Sequence, residues 1–136
     1  MQLKIQTDGA SRGNPGPAAY GFVVYKDGEV LKKEGKTLGI TTNNVAEYTG
    51  LVKALEFLAD EVKPEEVEEL AIEADSQLMI RQLSGMYKVK NEGLKGLFTQ
   101  INAMLTEYPH VTFKHIFREY NTVADELGNL ALDGKI

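Results

Sequence analysis

Four carboxylates stand in four separated segments of this chain, each at a point where the sequence pattern changes. They are Asp8, Glu47, Asp75 and Asp125. Carboxylate oxygens are hard ligands of the kind that Mg²⁺ and similar cations prefer. If the fold gathers these side chains, they form an oxygen-lined site for divalent cations.

Asp8 and Glu47 also have structural explanations. Asp8 precedes Gly9, and such a pair is typical of a turn after a strand. Glu47 lies three residues after Asn44, which is the spacing of a capping box at a helix N-terminus. The helical period nevertheless puts Glu47 on the apolar face of its helix. A carboxylate on that face needs a compensating partner, and a cation would serve.

Asp75 and Asp125 have equally simple alternatives. Asp75 follows an apolar run, so it could end a strand before a helix that Ser76 caps. The functional alternative is that ligands of α/β sheets collect beyond the carboxyl ends of parallel strands, where Asp75 would lie. Asp125 could stabilise the first turn of the last helix, with Thr122 as the cap. Both interpretations stay open for each residue.

The elements that must position these carboxylates begin with three predicted strands. Apolar and polar residues alternate over positions 3–8 until a turn rich in glycine, asparagine and proline. Residues 20–25 and 30–38 predict two further strands, and the pair Asp27 and Gly28 between them predicts a hairpin. These three strands should form an antiparallel meander.

From Asn44 onward, helices alternate with buried strands. Apolar residues at helical spacing predict a helix to about Val62, and Pro64 prevents its continuation. The pattern then predicts a strand, two helices, a strand and a helix, at residues 70–74, 77–84, 94–105, 111–117 and 122–132. This order predicts an α/β fold whose mixed sheet is antiparallel first and parallel afterwards, through helical crossovers.

Composition limits the classes of protein to which the chain can belong. Its 136 residues suit one domain, so residues 1–136 are interpreted as a single domain. The lack of a membrane-length apolar stretch and of a secretory signal predicts a cytoplasmic protein. Without cysteine, disulfides and thiolate metal sites are impossible. The net charge of −5 argues against a strong nonspecific nucleic-acid binder, although the basic stretch from Arg81 to Lys95 can form one basic face.

Four segments resemble the signature blocks of the type 1 ribonuclease H family. They are residues 8–16, 42–47, 74–77 and 124–127, in the family's order and across nearly the whole chain. The resemblance implies the ribonuclease H fold, a five-stranded mixed sheet with three antiparallel and then two parallel strands, flanked by helices. It also implies an endonuclease that hydrolyses the RNA strand of RNA/DNA hybrids, with Asp8, Glu47, Asp75 and Asp125 as catalytic and metal-binding residues.

The resemblance further implies two-metal-ion catalysis. Two Mg²⁺ ions would be bridged by Asp8 and held by the other carboxylates, with Mn²⁺ as an alternative metal. The expected substrate contacts comprise the glycine-rich turn, amides suited to reading a 2′-hydroxyl, and a charged pair before the last helix. These contacts are Ser11, Arg12, Gly13, Asn14, Asn43, Asn44, Gln77, Arg118 and Glu119. Asn14 as a turn residue and Asn44 as a helix cap remain the structural alternatives.

Two departures from the family pattern are expected. Residues 85–91 lead quickly into the next helix, so this is a compact form without the basic protrusion of many bacterial members. Those members also carry a mobile loop histidine, but His115 falls inside a predicted strand and is not assigned that role. Residues 117–121 replace the loop, where Arg118 and Glu119 would position phosphate or assist product release. A surface ion pair is the alternative for these two residues.

Three functional hypotheses remain open. The first is the hybrid-specific endonuclease, and the second is a nuclease of the same fold that also cuts double-stranded RNA or branched DNA. The third, a noncatalytic hybrid-binding module, is disfavoured because all four carboxylates are present. We expect an RNA/DNA hybrid as partner, no membrane, no obligatory protein partner, and a monomer, because no exposed apolar stripe is evident.

Overall fold

A five-stranded mixed sheet forms the centre of the computed structural model, which describes residues 1–136. In chain order its strands are β1 (Gln2–Ser11), β2 (Gly16–Lys26), β3 (Glu29–Thr41), β4 (Glu69–Ala74) and β5 (Val111–His115). Their spatial order is β3-β2-β1-β4-β5. The β1–β2 and β2–β3 pairs are antiparallel, whereas the β1–β4 and β4–β5 pairs are parallel. The predicted sheet is therefore confirmed.

Four α-helices flank this sheet: α1 (Asn43–Glu61), α2 (Gln77–Leu83), α3 (Glu92–Leu105) and α4 (Thr122–Leu132). Pro64–Glu66 and Arg118–Tyr120 form short 3₁₀ turns. Gly50 of α1 approaches Tyr20 of β2, whereas α4 approaches the neighbouring Gly21. Because successive residues of a strand point to opposite faces, α1 and α4 cover opposite faces of the sheet. None of the helices is both long and apolar enough to cross a membrane.

The hydrophobic core lies mainly between the sheet and the layer formed by α1, α2 and α3. Its members include buried side chains from β1, β2, β4 and all three of these helices: Ile5, Phe22, Leu51, Leu55, Leu58, Leu70, Ile72, Met79, Leu94 and Ile101. This core fixes α1 against β1, which are the two elements that carry Glu47 and Asp8. The carboxylates therefore stand on a rigid frame.

Several element boundaries differ from the predicted ones. β1 continues to Ser11 because it stays paired with β2, with Ser11 opposite Ala18. Backbone pairing of this kind does not require alternating apolar side chains, so the hydrophobic pattern could not mark the true strand ends. β5 ends at His115 instead of residue 117, and Arg118–Tyr120 then turns as a 3₁₀ segment.

The predicted hairpin is confirmed by its backbone. Lys26 pairs with Glu29, which leaves Asp27 and Gly28 as a two-residue loop. Both loop residues have positive φ angles, 50° and 85°. Two consecutive positive φ angles are characteristic of the type I′ turn, which suits the twist of antiparallel strands.

The helix caps agree only in part with the sequence pattern. Ser76 caps α2 as expected, since its hydroxyl accepts a hydrogen bond from the Met79 N–H at 3.2 Å. The cap of α1 is Thr42 and not Asn44, so the predicted capping box with Glu47 is wrong. At α4 the cap position belongs to Asn121, and Thr122 is already helical.

Candidate active site

Three of the four predicted carboxylates converge at one end of the sheet. Asp8 lies on β1, Asp75 directly follows the neighbouring parallel strand β4, and Glu47 projects from α1. One ligand oxygen from each lies within 4.8 Å of the others. Asp8 and Glu47 are only 8% and 7% exposed. The expectation that Glu47 points towards the buried face of its helix is confirmed.

Asp125 stands beside this triad, in the first turn of α4. Asp125 contributes to raising the pKa of Asp8, after burial and the charge of Asp75. The Oδ1 atom of Asp125 lies 3.9 Å from the Nη2 atom of Arg118. Asp125 is therefore the fourth carboxylate of the same cluster, although it is not within the tight oxygen triad.

A close approach of backbones places Glu47 next to Asp8. A Cβ atom at Gly9 would lie 2.3 Å from the Glu47 nitrogen and 2.7 Å from the Ala46 carbonyl carbon. Only glycine leaves room for α1 to approach β1 at this point. In the sequence Asp8 and Gly9 resemble a turn-forming pair, but they lie inside β1. Glycine is required at position 9 because it lets α1 approach the strand.

The carboxylate cluster holds more negative charge than its surroundings can stabilise. Burial, followed by the charge of Asp75, raises the pKa of Asp8 to about 8 and that of Glu47 to about 7. The neighbouring Ser76 side chain acts to lower the pKa of Glu47 and so opposes the second of these shifts. Carboxyl groups crowded in this way retain protons unless a positive charge replaces them. An all-oxygen, electron-rich donor set of this kind fits a hard divalent cation.

Asp75 differs from the other two because positive and hydrogen-bonding groups partly stabilise its charge. Burial raises its pKa, while the Arg118 guanidinium and the Asn121 side chain act to lower it. The Asp75 backbone carbonyl oxygen lies 3.2 Å from Nε2 of His115, the last residue of β5. The prediction that His115 belongs to a strand is confirmed.

The triad opens into a cavity of about 370 Å³ without a single hydrophobic lining residue. Its walls are formed by Asp8, Gly9, Asn43, Asn44, Glu47, Asp75, Ser76 and Arg118. A larger cavity of about 590 Å³ lies elsewhere on the sheet, along β1 and the hairpin, and holds none of the predicted site residues. The smaller cavity is the functional candidate because its lining combines carboxyl groups with raised pKa values, side-chain amides and one cationic side chain.

The predicted substrate contacts are only partly gathered around this cavity. Asn43, Asn44 and Arg118 line it, whereas the other predicted contacts lie outside its walls: Ser11, Arg12, Gly13, Asn14, Gln77 and Glu119. The Asn14 side chain reaches the start of α1, where its Oδ1 accepts from the Asn43 N–H at 3.3 Å. The Arg12 guanidinium is ion-paired with Asp133 beyond α4. The glycine-rich turn therefore flanks the site at the outer edge.

Sequence reasoning misses two side chains that contact the carboxylates. The pattern around Ser76 indicates only a helix cap, yet this serine also acts to lower the pKa of Glu47. Nothing in the sequence singles out Asn121, although it is completely buried and acts to lower the pKa of Asp75. The serine has a local signal in its position after Asp75. The asparagine has none, because its burial results from packing between distant segments.

Known proteins resemble this arrangement along almost the entire chain. A sequence profile described as reverse transcriptase-like matches residues 6–131. The crystal structure of RNase H1 from the archaeon Halobacterium salinarum superposes with a TM-score of 0.90 at 38% identity, covering 98% of this chain and 99% of that one. The chain belongs to the type 1 ribonuclease H family. The predicted ribonuclease H fold is thereby confirmed, as is the family assignment made from four short segments.

Other ribonuclease H relatives extend the comparison. LC11-RNase H1, obtained from compost by a metagenomic approach, was solved in complex with an RNA/DNA hybrid. It is 42% identical to this chain, has a TM-score of 0.91 and is covered over 97% of both chains. A bifunctional protein of Mycobacterium tuberculosis is 42% identical over 98% of this chain. The chain spans only 36% of that relative's length and 62% of the Halobacterium ribonuclease HI sequence.

Proposed function

We propose that this protein is an endonuclease that hydrolyses the RNA strand of RNA/DNA hybrids, with residues 1–136 acting as one catalytic domain. The observation that carries the proposal is the convergence of Asp8, Glu47 and Asp75 at a polar cavity. A relative of 42% identity that was crystallised with an RNA/DNA hybrid supports the choice of substrate.

The carboxylates would hold two divalent ions, with Mg²⁺ as the proposed metal and Mn²⁺ as its substitute. Asp8 is suited to contact both ions, since Asp75, Asp125 and Glu47 all raise its pKa and so surround it. When bound, the ions supply a more acidic attacking water and stabilise charge on the leaving 3′ oxygen. Glu47, Asp75 and Asp125 complete the oxygen donor set in this assignment.

The remaining lining residues would bind and orient the hybrid. Arg118 is the only cationic side chain in the cavity wall, and it is suited to a phosphate oxygen next to the carboxylates. Asn43 and Asn44 carry amides that both donate and accept, which suits the 2′-hydroxyl that distinguishes RNA from DNA. Ser11, Arg12, Gly13, Asn14, Gln77 and Glu119 would contact the nucleic-acid backbone further from the reacting phosphate.

A panel of duplexes tests the proposed substrate. The purified protein is incubated with a labelled RNA/DNA hybrid, double-stranded RNA and double-stranded DNA, each with Mg²⁺, Mn²⁺ or a chelator. We expect the hybrid to be cut with either metal and not with the chelator. Equal cutting of double-stranded RNA would favour the broader nuclease. Tight hybrid binding without cutting would favour the noncatalytic module and contradict the proposal.

Substitution of Arg118 is expected to weaken the reaction without affecting the fold. Arg118→Ala should lower kcat/KM on the hybrid about 10–100-fold, because it removes a charge-assisted hydrogen bond to phosphate. Arg118→Lys should lower it less, since the charge remains. The matched control is Lys53→Ala, which removes an exposed cation paired with Glu56 on α1, away from the cavity. Wild-type kinetics for Arg118→Ala would exclude a role in phosphate binding.

Gly9→Ala is expected to displace the catalytic helix. The added methyl group would overlap the Glu47 and Ala46 backbones, so α1 must shift away from β1. We expect a loss of about 1–3 kcal/mol in the free energy of unfolding and about 100-fold in turnover. Urea unfolding and hybrid cleavage measure the two effects. Gly96→Ala is the control, because nothing lies within 4 Å of its added Cβ. Unchanged turnover in Gly9→Ala would contradict the assigned role of Glu47.

We also propose that the protein acts in the cytoplasm as a monomer without an obligatory protein partner. A chain without cysteine suits a reducing compartment. The large exposed apolar side chains are spread over several elements, including Ile40 on β3, Met86 after α2 and Tyr120 before α4. Scattered residues of this kind are normal on a monomer surface.

A further inference from the structure

Asn121 is a completely buried polar side chain that the proposed reaction does not use directly. It lies between the 3₁₀ turn and α4, with 0% of its surface exposed. Its Nδ2 atom donates to the backbone carbonyl of Thr7 at 3.0 Å. That carbonyl can only accept, so the amide nitrogen must face it. Thr7 immediately precedes Asp8, and the bond therefore ties Asn121 to the backbone that carries the central carboxylate.

The same residue contacts the segments of two other carboxylates. The Asn121 side chain also faces Asp75, where it acts to lower the pKa of the carboxyl group against the effect of burial. Its backbone carbonyl accepts from the Asp125 N–H at 3.1 Å. One residue thus joins β1, the end of β4 and the first turn of α4. These are the places from which Asp8, Asp75 and Asp125 project.

Helix capping does not explain this orientation. An asparagine at an N-cap normally uses its side-chain oxygen to accept from a helical N–H. Asn121 occupies the cap position of α4 but makes no side-chain cap bond. Its Oδ1 atom is buried without any partner. A buried acceptor without a partner lowers stability. The amide is therefore oriented by its bond to the Thr7 carbonyl and not by helix capping.

We propose that Asn121 is a positioning residue that fixes Asp75 and Asp125 relative to Asp8. A planar amide with two donors can hold the β1 backbone and the Asp75 carboxylate at a set separation. Groups that orient metal-binding carboxylates in this way reduce the rearrangement needed when a cation binds. The effect of Asn121 on the rate of hybrid cleavage rests on the proposed function, whereas its effect on cation affinity does not.

The test compares Mn²⁺ binding to the 136-residue wild type and to its variants by calorimetry, in the absence of nucleic acid. Asn121→Ala removes both donors, and Asn121→Ser keeps one hydroxyl donor. We expect Mn²⁺ affinity to fall about 10–100-fold in the alanine variant and less in the serine variant. Asn129→Ala is the matched control, because Asn129 also donates its Nδ2 to a backbone carbonyl near α4, that of Asp125 at 3.1 Å, but is exposed. The control should bind Mn²⁺ like the wild type.

Hybrid cleavage supplies the second readout. We expect kcat to fall by a similar factor in Asn121→Ala while KM for the hybrid stays within about twofold, since the residue lies below the substrate surface. A folded Asn121→Ala protein with wild-type Mn²⁺ affinity and kcat would overturn the proposal. Failure of both variants to fold would also overturn it, by assigning Asn121 to the folding core. If the wild type binds Mn²⁺ but cuts no hybrid, the proposed function fails while the affinity comparison still decides the role of Asn121.

Discussion

Asp8→Asn is expected to abolish hybrid cleavage and, at pH 8 without metal, to make the protein more stable than the wild type. Asp8 is 8% exposed and surrounded by Asp75, Asp125 and Glu47, which together with burial raise its pKa to about 8. Asparagine has the same shape but no charge to crowd its neighbours. We expect a gain of about 1–3 kcal/mol in the free energy of unfolding from the lost repulsion and burial cost.

The loss of activity should be far larger in free energy than the gain in stability. An amide at the centre of the cluster cannot supply the second anionic oxygen that two cations would share. Turnover with Mg²⁺ should fall by on the order of 10³-fold or more, which corresponds to at least about 4 kcal/mol. Cleavage of a labelled hybrid and urea unfolding at pH 8 with chelator measure the two effects on the same preparation.

Asp60→Asn provides the control for Asp8→Asn. Asp60 is an exposed acid near the end of α1, away from the cavity, so its neutralisation should change neither turnover nor stability beyond about 0.5 kcal/mol. Retained Mg²⁺-dependent cleavage in Asp8→Asn would remove Asp8 from the catalytic set. A destabilised Asp8→Asn protein at pH 8 would contradict a crowded, charge-rich site.

The metal-free protein should lose stability as pH rises from about 4 to about 8. In the folded state the pKa values of Asp8 and Glu47 are about 8 and about 7, against ordinary values of 3.8 and 4.5. Within this window the unfolded chain has released these protons while the folded chain still holds them. The folded state then binds more protons, so its stability decreases with increasing pH. We expect these two groups to contribute a decrease of at least about 2 kcal/mol.

Divalent cations should reverse this trend. A bound cation replaces the protons as the partner of the carboxylates, so saturating Mg²⁺ should raise the unfolding midpoint more at pH 8 than at pH 5. Urea unfolding at pH 5, 6, 7 and 8, with Mg²⁺ or with chelator, measures both effects. Asp8→Asn should show a shallower pH dependence without metal, which isolates the contribution of this site. If the metal-free wild type gains stability over this pH range more than Asp8→Asn does, the assignment of raised pKa values is wrong.

The order and type of the main elements could be predicted because periodicity reports burial directly. The helical spacing of apolar residues marks α1, and the same spacing puts Glu47 on the buried face of that helix. The pair Asp27 and Gly28 identifies the hairpin because few residues accept two positive φ angles in succession. These features depend on neighbours in sequence, so the sequence alone is sufficient.

The features that could not be predicted depend on distant segments. Thr42 and Asn44 are both residues that favour the N-cap position, and in the structure Thr42 occupies it. The start of this helix also has a contact with a distant segment, because the Asn43 N–H donates to the Asn14 side chain. The close approach of Gly9 to Glu47 joins residues that are far apart in the chain. Asn121 resembles an ordinary surface residue before a helix, yet it is completely buried. Local sequence patterns do not indicate packing between distant segments.

Some residues of the candidate site could be predicted from the sequence, and others could not. The rule that ligands bind beyond the carboxyl ends of parallel strands places Asp75 correctly next to Asp8. The family resemblance supplies Asp125, which lies beside the triad and near Arg118. The rule and the resemblance do not reveal that Arg118 lines the cavity while Glu119, the next residue, does not.

Cleavage of an RNA/DNA hybrid labelled separately on each strand tests the central claim most directly. The wild-type protein with Mg²⁺ should cut only the RNA strand, leaving fragments with 5′-phosphate and 3′-hydroxyl ends, because water attacks the phosphorus and the 3′ oxygen leaves. Asp8→Asn should leave both strands intact under the same conditions. Cutting of the DNA strand, fragments ending in a 2′,3′-cyclic phosphate, or no cleavage by the wild type would contradict the account.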